Sequence, residues 1–393
     1  MHLPDGFLDT TTVIVTGAGA LAALTYAVRR TSRELGERTV PLLGVTAAFV
    51  FAAQMLNFPI AAGTSGHFLG AAFAAVVMGP WAAVVVLAVV VAVQAVGMAD
   101  GGISALGANT LNMAVVAVFV GYGAHRALRA ILPPTIPWYL AGVAVASWLS
   151  VVAASGAVAV ELAVSGTVPL RFALPAMTSV HMVIGIGEAL ITTTVLATVL
   201  ASRPDLVYSP PRAVGGTTRR RAAEAPPKTW GFLAAALAVA LALSVFVSPF
   251  ASQAPDGLER VAEDQGFAGD AEEGGWSFSP IPDYQFPGLE DPTLATAAAG
   301  LVGTLVMFAV LLGLGQAFSG RRKGEAVTEG IAAPSLHPLG GHEHIDHRHS
   351  GHTHRGHSHS PHVPEEADPD HHHDHAHGHG RRDGAVDRQE DDS

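Results

Sequence analysis

Several long stretches without a single charged side chain constrain this chain more than any other feature. Thr11 to Val28, Trp81 to Ala99, Trp138 to Val160 and Thr293 to Phe318 are uncharged throughout. As helices, segments of about 20 residues cross a hydrocarbon core of about 30 Å. A soluble domain would have to bury all of them in one core, with no charged face left for water. Only 14% of the 393 residues are charged, against roughly 25% in ordinary soluble domains. The fold expected is therefore all-α and polytopic, in a membrane.

Apolar spans fall at about 10–29, 40–58, 65–79, 81–99, 107–125, 138–164, 178–202, 229–249 and 293–318. Gly79-Pro80 separates the short third span from the fourth as a tight turn, because proline breaks a helix. Basic residues follow the odd-numbered spans: Arg29, Arg30, Arg33 and Arg38; Arg126 and Arg129; Arg203, Arg212, Arg219, Arg220 and Arg221; Arg321, Arg322 and Lys323. The positive-inside rule puts these clusters in the cytoplasm. The N-terminus and the acidic stretch from Asp256 to Asp291 then lie outside. Before the first span the only charges are Asp5 and Asp9, the wrong sign for a signal peptide, so the N-terminus is expected to be retained.

The Pro- and Arg-rich segment 203–228 looks like a cytoplasmic linker. It divides a seven-span part, 1–202, from a two-span hairpin, 229–319, whose outer loop covers 250–292. Residues 320–393 are polar, have no apolar period and are expected to be disordered.

The chain contains no cysteine, so a metal would have to be held by nitrogen or oxygen. Its first residues, Met1-His2-Leu3-Pro4-Asp5-Gly6-Phe7-Leu8, offer such donors. Met1 is retained before a residue as large as histidine. Its amine and the His2 amide nitrogen close a five-membered ring around a metal, and that amide and His2 Nδ1 close a six-membered one. Three coplanar nitrogens suit nickel(II), copper(II) or cobalt(II) once the amide is deprotonated. The competing reading is an exposed histidine that is there by accident.

His67, in Gly63-Thr64-Ser65-Gly66-His67-Phe68-Leu69-Gly70, is expected on the same side of the membrane as Met1 and would complete a square of nitrogens. A histidine merely hydrogen-bonded in the interface is the alternative. Further polar residues in apolar surroundings are Gln54, Asn57, Gln94, Asp100, Asn109, Asn112, His181 and Glu188. Ligand histidines need orienting partners, and Asn109, Asn112 and His181 are candidates for that role. Asn109 and Asn112 are three apart, as residues sharing a helical face are. For each alone, interhelical hydrogen bonding is the better account.

The opening octapeptide, the run from Gly63 to Gly70 and the run from Gly102 to Asn112 resemble the CbiM/NikM substrate-binding components of energy-coupling-factor importers for cobalt or nickel. That resemblance covers roughly 1–202. Ser248-Pro249-Phe250 and the stretch Pro255-Asp256-Gly257-Leu258-Glu259 resemble the small two-span CbiN/NikN subunit, here fused to the same chain. The resemblance implies a seven-helix S-component bundle with the metal held by the Met1 amine, the His2 amide and imidazole, and His67. It also implies a separate transmembrane coupling subunit and cytoplasmic ATPases in a prokaryotic plasma membrane, with the CbiN-like loop assisting metal loading. Cobalt or nickel is then the transported substrate, with no organic cofactor and no nucleic-acid partner.

The chain has no phosphate loop of the form G-x-x-x-x-G-K-[ST], no H-E-x-x-H and no G-x-S-x-G. It is expected to be no enzyme, with ATP hydrolysed by other subunits. A secondary metal transporter working without ATPases would carry paired ionisable residues along its spans. Here they are few, chiefly Glu161, His181 and Glu188. A membrane metal sensor or store would not need sites on both sides.

Sixteen of the twenty histidines lie between His337 and His379, many in His-x-His spacing beside acids. Tracts of this kind bind nickel, zinc or cobalt loosely; His342, His344, His371, His372, His373 and His375 are representative. The expected role is to buffer metal after uptake. Deleting 337–379 should leave initial uptake rates intact and lower cellular metal tolerance, measured as growth against added nickel or cobalt.

Overall fold

A computed structural model describes residues 1–34, 36, 40–60, 63–211, 229–272 and 279–332. The chain divides into two bodies, Met1–Pro334 and Ser335–Ser393. The second body, with all sixteen tail histidines, lies outside the described residues.

Seven helices among the described residues are long and apolar enough to cross a membrane. They begin with α1 (Thr10–Glu34), whose cap is Asp9: its carboxylate accepts from the Thr11 and Thr12 amides at 3.2 and 3.0 Å. Next come α2 (Val40–Gln54), a two-residue strand pair β1 (Phe58–Pro59) and β2 (Ser65–Gly66), and α3 (Ala71–Met78). α4 (Pro80–Met98) starts with proline at its first turn, where the missing amide costs nothing. A short α5 (Leu106–Asn109) runs through a π-helical stretch, Thr110–Val116, into α6 (Ala117–Ile131). α7 (Ile136–Val164) and α8 (Leu170–Ser202) complete the first part. The hairpin consists of α9 (Thr229–Ala242), the short α10 (Gly257–Gln265) and α11 (Pro292–Ala332).

Two of the expected spans come out shorter than a bilayer. α2 has 15 residues and α3 only 8, or about 22 and 12 Å of helix. Every residue of both is buried. Between them lie Pro59, Gly63, Gly66 and Gly70, which stop the helix; of the irregular stretches 55–60 and 63–70, the second is buried from Thr64 onward apart from the half-buried His67. Such backbone is tolerated at membrane depth only where other protein groups satisfy it.

The helices run between two ends. At one end the connecting segments bond to each other through main-chain groups. Gly102 N–H donates to Leu3 O at 2.8 Å, Ser65 to Pro255 at 2.8 Å, Ser252 to Asn57 at 2.7 Å, Glu272 to Asp5 at 2.9 Å and Ile281 to Gly97 at 3.1 Å. Three of these bonds join the hairpin loop to the first part, and one joins it to the N-terminal segment. At the other end, the segment after α8 is held by Tyr208 N–H on Val77 O at 2.9 Å and by Arg129 on the carbonyls of Ser209 and Pro210. Gly79 there has φ of 87°, and the Tyr208 ring occupies the space a side chain would need.

α2, buried along its whole length, has α9 and α11 of the hairpin packed along it. The contact with α11 is close enough that a Cβ on Gly303 would overlap the Phe51 ring. Gly303→Val should therefore destabilise the fold by about 1–3 kcal/mol through overpacking, read as a lower thermal midpoint in detergent. Gly313→Val, where a Cβ meets nothing within 4 Å, is the control and should change it little.

Candidate metal site

The N-terminal segment is threaded into the bundle. Met1, Leu3 and Phe7 are buried. The Asn109 carboxamide grips Leu3 twice: its Oδ1 accepts the Leu3 amide at 2.8 Å, and its Nδ2 donates to Leu3 O at 3.0 Å. Asp5 accepts from the Ile103 and Ser104 amides at 3.1 and 2.8 Å and from the Ser104 hydroxyl at 2.5 Å. Thr167 donates to Phe7 O at 2.6 Å. Chain ends fray unless tied down, and this one is tied from four directions.

His67 is positioned from the other side. The amides of Leu69 and Gly70, just ahead of α3, donate to the buried carboxylate of Glu188 on α8 at 2.7 and 2.9 Å. The Gln54 amide donates to Leu69 O at 2.8 Å. His67 Nδ1 lies 3.1 Å from Phe68 O, so Nδ1 carries the proton and Nε2 presents its lone pair. Burial, first, and then the nearby N-terminal ammonium and His2 push the His67 pKa down to about 3. The ring is neutral at physiological pH, as a ligand must be.

These two segments meet. The Met1 amine is 3.1 Å from His67 Nε2 and also donates to Asp256 Oδ2. The rings of His2 and His67 stack, with centroids 5.2 Å apart and planes 19° apart. His2 Nδ1 is 3.1 Å from Asp100 Oδ1, and His2 Nε2 is 3.2 Å from Gln94 Oε1. Asp100 Oδ2 in turn accepts from the Tyr284 hydroxyl at 2.6 Å. Burial opposes ionisation of Asp100 and of Asp256. The neighbouring His2 and Tyr284 (for Asp100), and the amine and His67 (for Asp256), nevertheless hold both below the usual carboxylate range. The site faces a cavity of about 650 Å³ whose wall includes Asp100, Asp256, Glu259, Glu263 and Asp283.

Met1, His2 and His67 are thus brought together. Asn109 holds the segment that carries the first two. His181, buried with Nδ1 2.7 Å from Met177 O, lines a small pocket beside Met1, His67 and Asp256. Asn112 goes elsewhere: its amide donates to Glu161 on α7 at 2.6 Å. The π-helical stretch begins at Thr110, so the face-sharing rule for residues three apart does not carry Asn112 to the site. The sequence reading did not place Asp5, Gln94, Asp100, Glu188, Asp256 or Tyr284 at the site. Four of these were visible as polar residues in apolar context or within the acidic hairpin motif; Asp5 and Tyr284 carried no such signal. The tail histidines lie outside the described residues. No cluster of three or more His, Asp or Glu side chains suited to a metal occurs among the described residues. A metal seated here would therefore depend on the terminal amine and main-chain nitrogen.

Comparison with known proteins agrees with this architecture. The family described as the cobalt uptake substrate-specific transmembrane region matches residues 2–206, and the PDGLE domain matches 230–320. The protein named "Putative fused nickel transport protein NikMN" of Archaeoglobus fulgidus is 36% identical over 314 residues, 79% of this chain and 96% of that one. The fused nickel transport protein NikMN of Rhodobacter capsulatus is 36% identical, over 56% of this chain and 67% of its own. The cobalt transport protein CbiM of Sorangium cellulosum is 34% identical, over 53% of this chain and 94% of its own.

The depressed His67 pKa sets a sign. The unfolded chain takes up this proton near pH 6.5 and the folded one only near pH 3, so stability is lost as pH falls through that window. The His67 ring resonances should not titrate between about pH 5 and 8, checked by NMR on selectively labelled protein.

Proposed function

Because the chain belongs to the cobalt uptake substrate-specific transmembrane family, we propose that it is the substrate-binding membrane component of an ATP-driven cobalt or nickel importer. It is a multi-pass membrane protein that takes part in cobalt or nickel transport. The metal is its substrate, held by the Met1 amine, the His2 amide nitrogen, His2 Nδ1 and His67 Nε2. A transmembrane coupling subunit and cytoplasmic ATPases supply the energy, and the N-terminus faces outward in a prokaryotic plasma membrane. The basic clusters after the odd-numbered spans support this orientation.

The observation that carries the ligand set is the 3.1 Å separation of the Met1 amine and His67 Nε2. Two nitrogens at about 2.0–2.1 Å from one metal and at right angles stand about 2.9 Å apart. The two nitrogens stand 3.1 Å apart, near that spacing. His67 has the right tautomer, and the His2 ring stacks on the His67 ring. The proposed set is all nitrogen, with no thiolate, and so favours borderline divalent transition metals over magnesium or calcium, which select oxygen.

In cells co-expressing the chain with the ATPases and coupling subunit, His2→Ala and His67→Ala should each abolish accumulation of the transported metal at normal membrane expression. Cobalt and nickel are supplied separately, and accumulated metal is measured by mass spectrometry. Undiminished uptake in both variants would overturn the ligand set.

A further inference from the structure

The hairpin reaches the same site at two points, and both contacts fall on the arms of the chelate rather than on the scaffold. Asp256 caps α10. Its Oδ1 accepts the amides of Leu258 and Glu259 at 2.7 and 3.0 Å, and its own amide donates to the Glu259 carboxylate at 2.8 Å. This capping box fixes the carboxylate and leaves Oδ2 facing the Met1 amine. The residues just before it are moored to the His67 loop. Ser65 N–H donates to Pro255 O and Ser65 Oγ to Ala254 O, both at 2.8 Å.

Tyr284 is aimed with similar care. It and Asp283 have φ of 55° and 51°, a left-handed region that non-glycine residues rarely enter. This conformation delivers the Tyr284 hydroxyl to Asp100, whose other oxygen faces His2 Nδ1. The segment is anchored at its start by Ser279 Oγ and the Ile281 amide, both on Gly97 O, at 2.8 and 3.1 Å.

We propose that the hairpin presets both arms of the chelate, with Asp256 and Tyr284 acting as positioning residues. Asp256 holds the terminal amine against His67 Nε2. Tyr284, through Asp100, holds the His2 ring. The inference rests on the ligand set proposed above. Without the hairpin, the amine would keep only its contact with a neutral imidazole, and Asp100 would lose its phenol partner. A chain end that must present two donors to one metal would then sample many arrangements, and binding would have to order it.

The test uses the full chain in nanodiscs, titrated with nickel alone. The readout is the ligand-field absorption of nickel bound to a deprotonated amide, a signal that histidine-tail sites do not give. Asp256→Asn and Tyr284→Phe should each raise the nickel Kd about tenfold or more, as losses of ligand-orienting partners do. The band of the saturated complex should not move, because the donors are unchanged. Asp256→Glu should recover part of the affinity. Tyr284→Phe removes a single oxygen, so a loss of affinity there is not explained by misfolding. Unchanged or tighter binding in Asp256→Asn and Tyr284→Phe, while His67→Ala loses the band, would overturn the inference and leave the ligand set standing. If His67→Ala keeps both band and affinity, the ligand set fails and the inference with it.

Discussion

Two hydrogen bonds between the Asn109 side chain and the main chain of Leu3 decide where the N-terminus lies. A carboxamide has one donor and one acceptor in the arrangement a neighbouring strand would offer, so it can pair with a single residue as a sheet edge does. That pairing satisfies Leu3, which is fully buried, and it fixes Met1 and His2 just upstream. The site follows from it. With Leu3 seated and Asp5 bonded to the 103–104 turn, the amine reaches His67 and the His2 ring stacks on the His67 ring.

The same logic governs the irregular backbone around the site. Among the described residues, segments 1–9, 55–60, 63–70, 99–105 and the hairpin loop are not helical along most of their length, and each is short of intrasegment partners. They satisfy one another instead: Gly102 with Leu3, Ser65 with Pro255, Ser252 with Asn57, Ile281 with Gly97. Glu188 performs this task from within α8, accepting the two amides ahead of α3 that no helical carbonyl can reach. Function and satisfaction of the backbone are the same problem here. The segments that would present donors to a metal in the proposed set are those whose own polar groups must be closed off by neighbours.

Much of this was legible in the sequence, for reasons that differ by residue. Uncharged runs and the placement of arginines depend on local composition, so the polytopic all-α fold could be read directly. His2 and His67 stood out because an N-terminal chelate and a glycine-flanked histidine at a span's edge have few other uses. The shortness of α2 and α3 was harder to see, since a fully buried helix and a lipid-facing span are equally apolar. Asn112 was misplaced because helical spacing was applied across a π-helical stretch, which propensity does not announce. Asp256 and Tyr284 were not assigned to the site because they lie more than 180 residues from the residues they touch. Nothing in a local pattern says that a capping aspartate will face the terminal amine, or that a tyrosine of left-handed backbone will face Asp100.

The charges at the site explain why a divalent ion suits it. The terminal ammonium faces the Asp256 carboxylate, and the two nitrogens of the His2 ring face oxygens of Asp100 and Gln94. In the proposed ligand set, a divalent metal taking the amine and the His2 amide nitrogen would displace one proton from each, so that two positive charges leave as two arrive. The balance against Asp256 and Asp100 would be kept, so loading would not strand an unpaired charge in a poorly solvated place, which would be costly. A monovalent cation making the same exchange would leave the acids under-compensated, and a trivalent one would overshoot. Under that proposal discrimination would come in two stages: the two carboxylates would select for charge, and the planar nitrogens for the metals able to displace an amide proton.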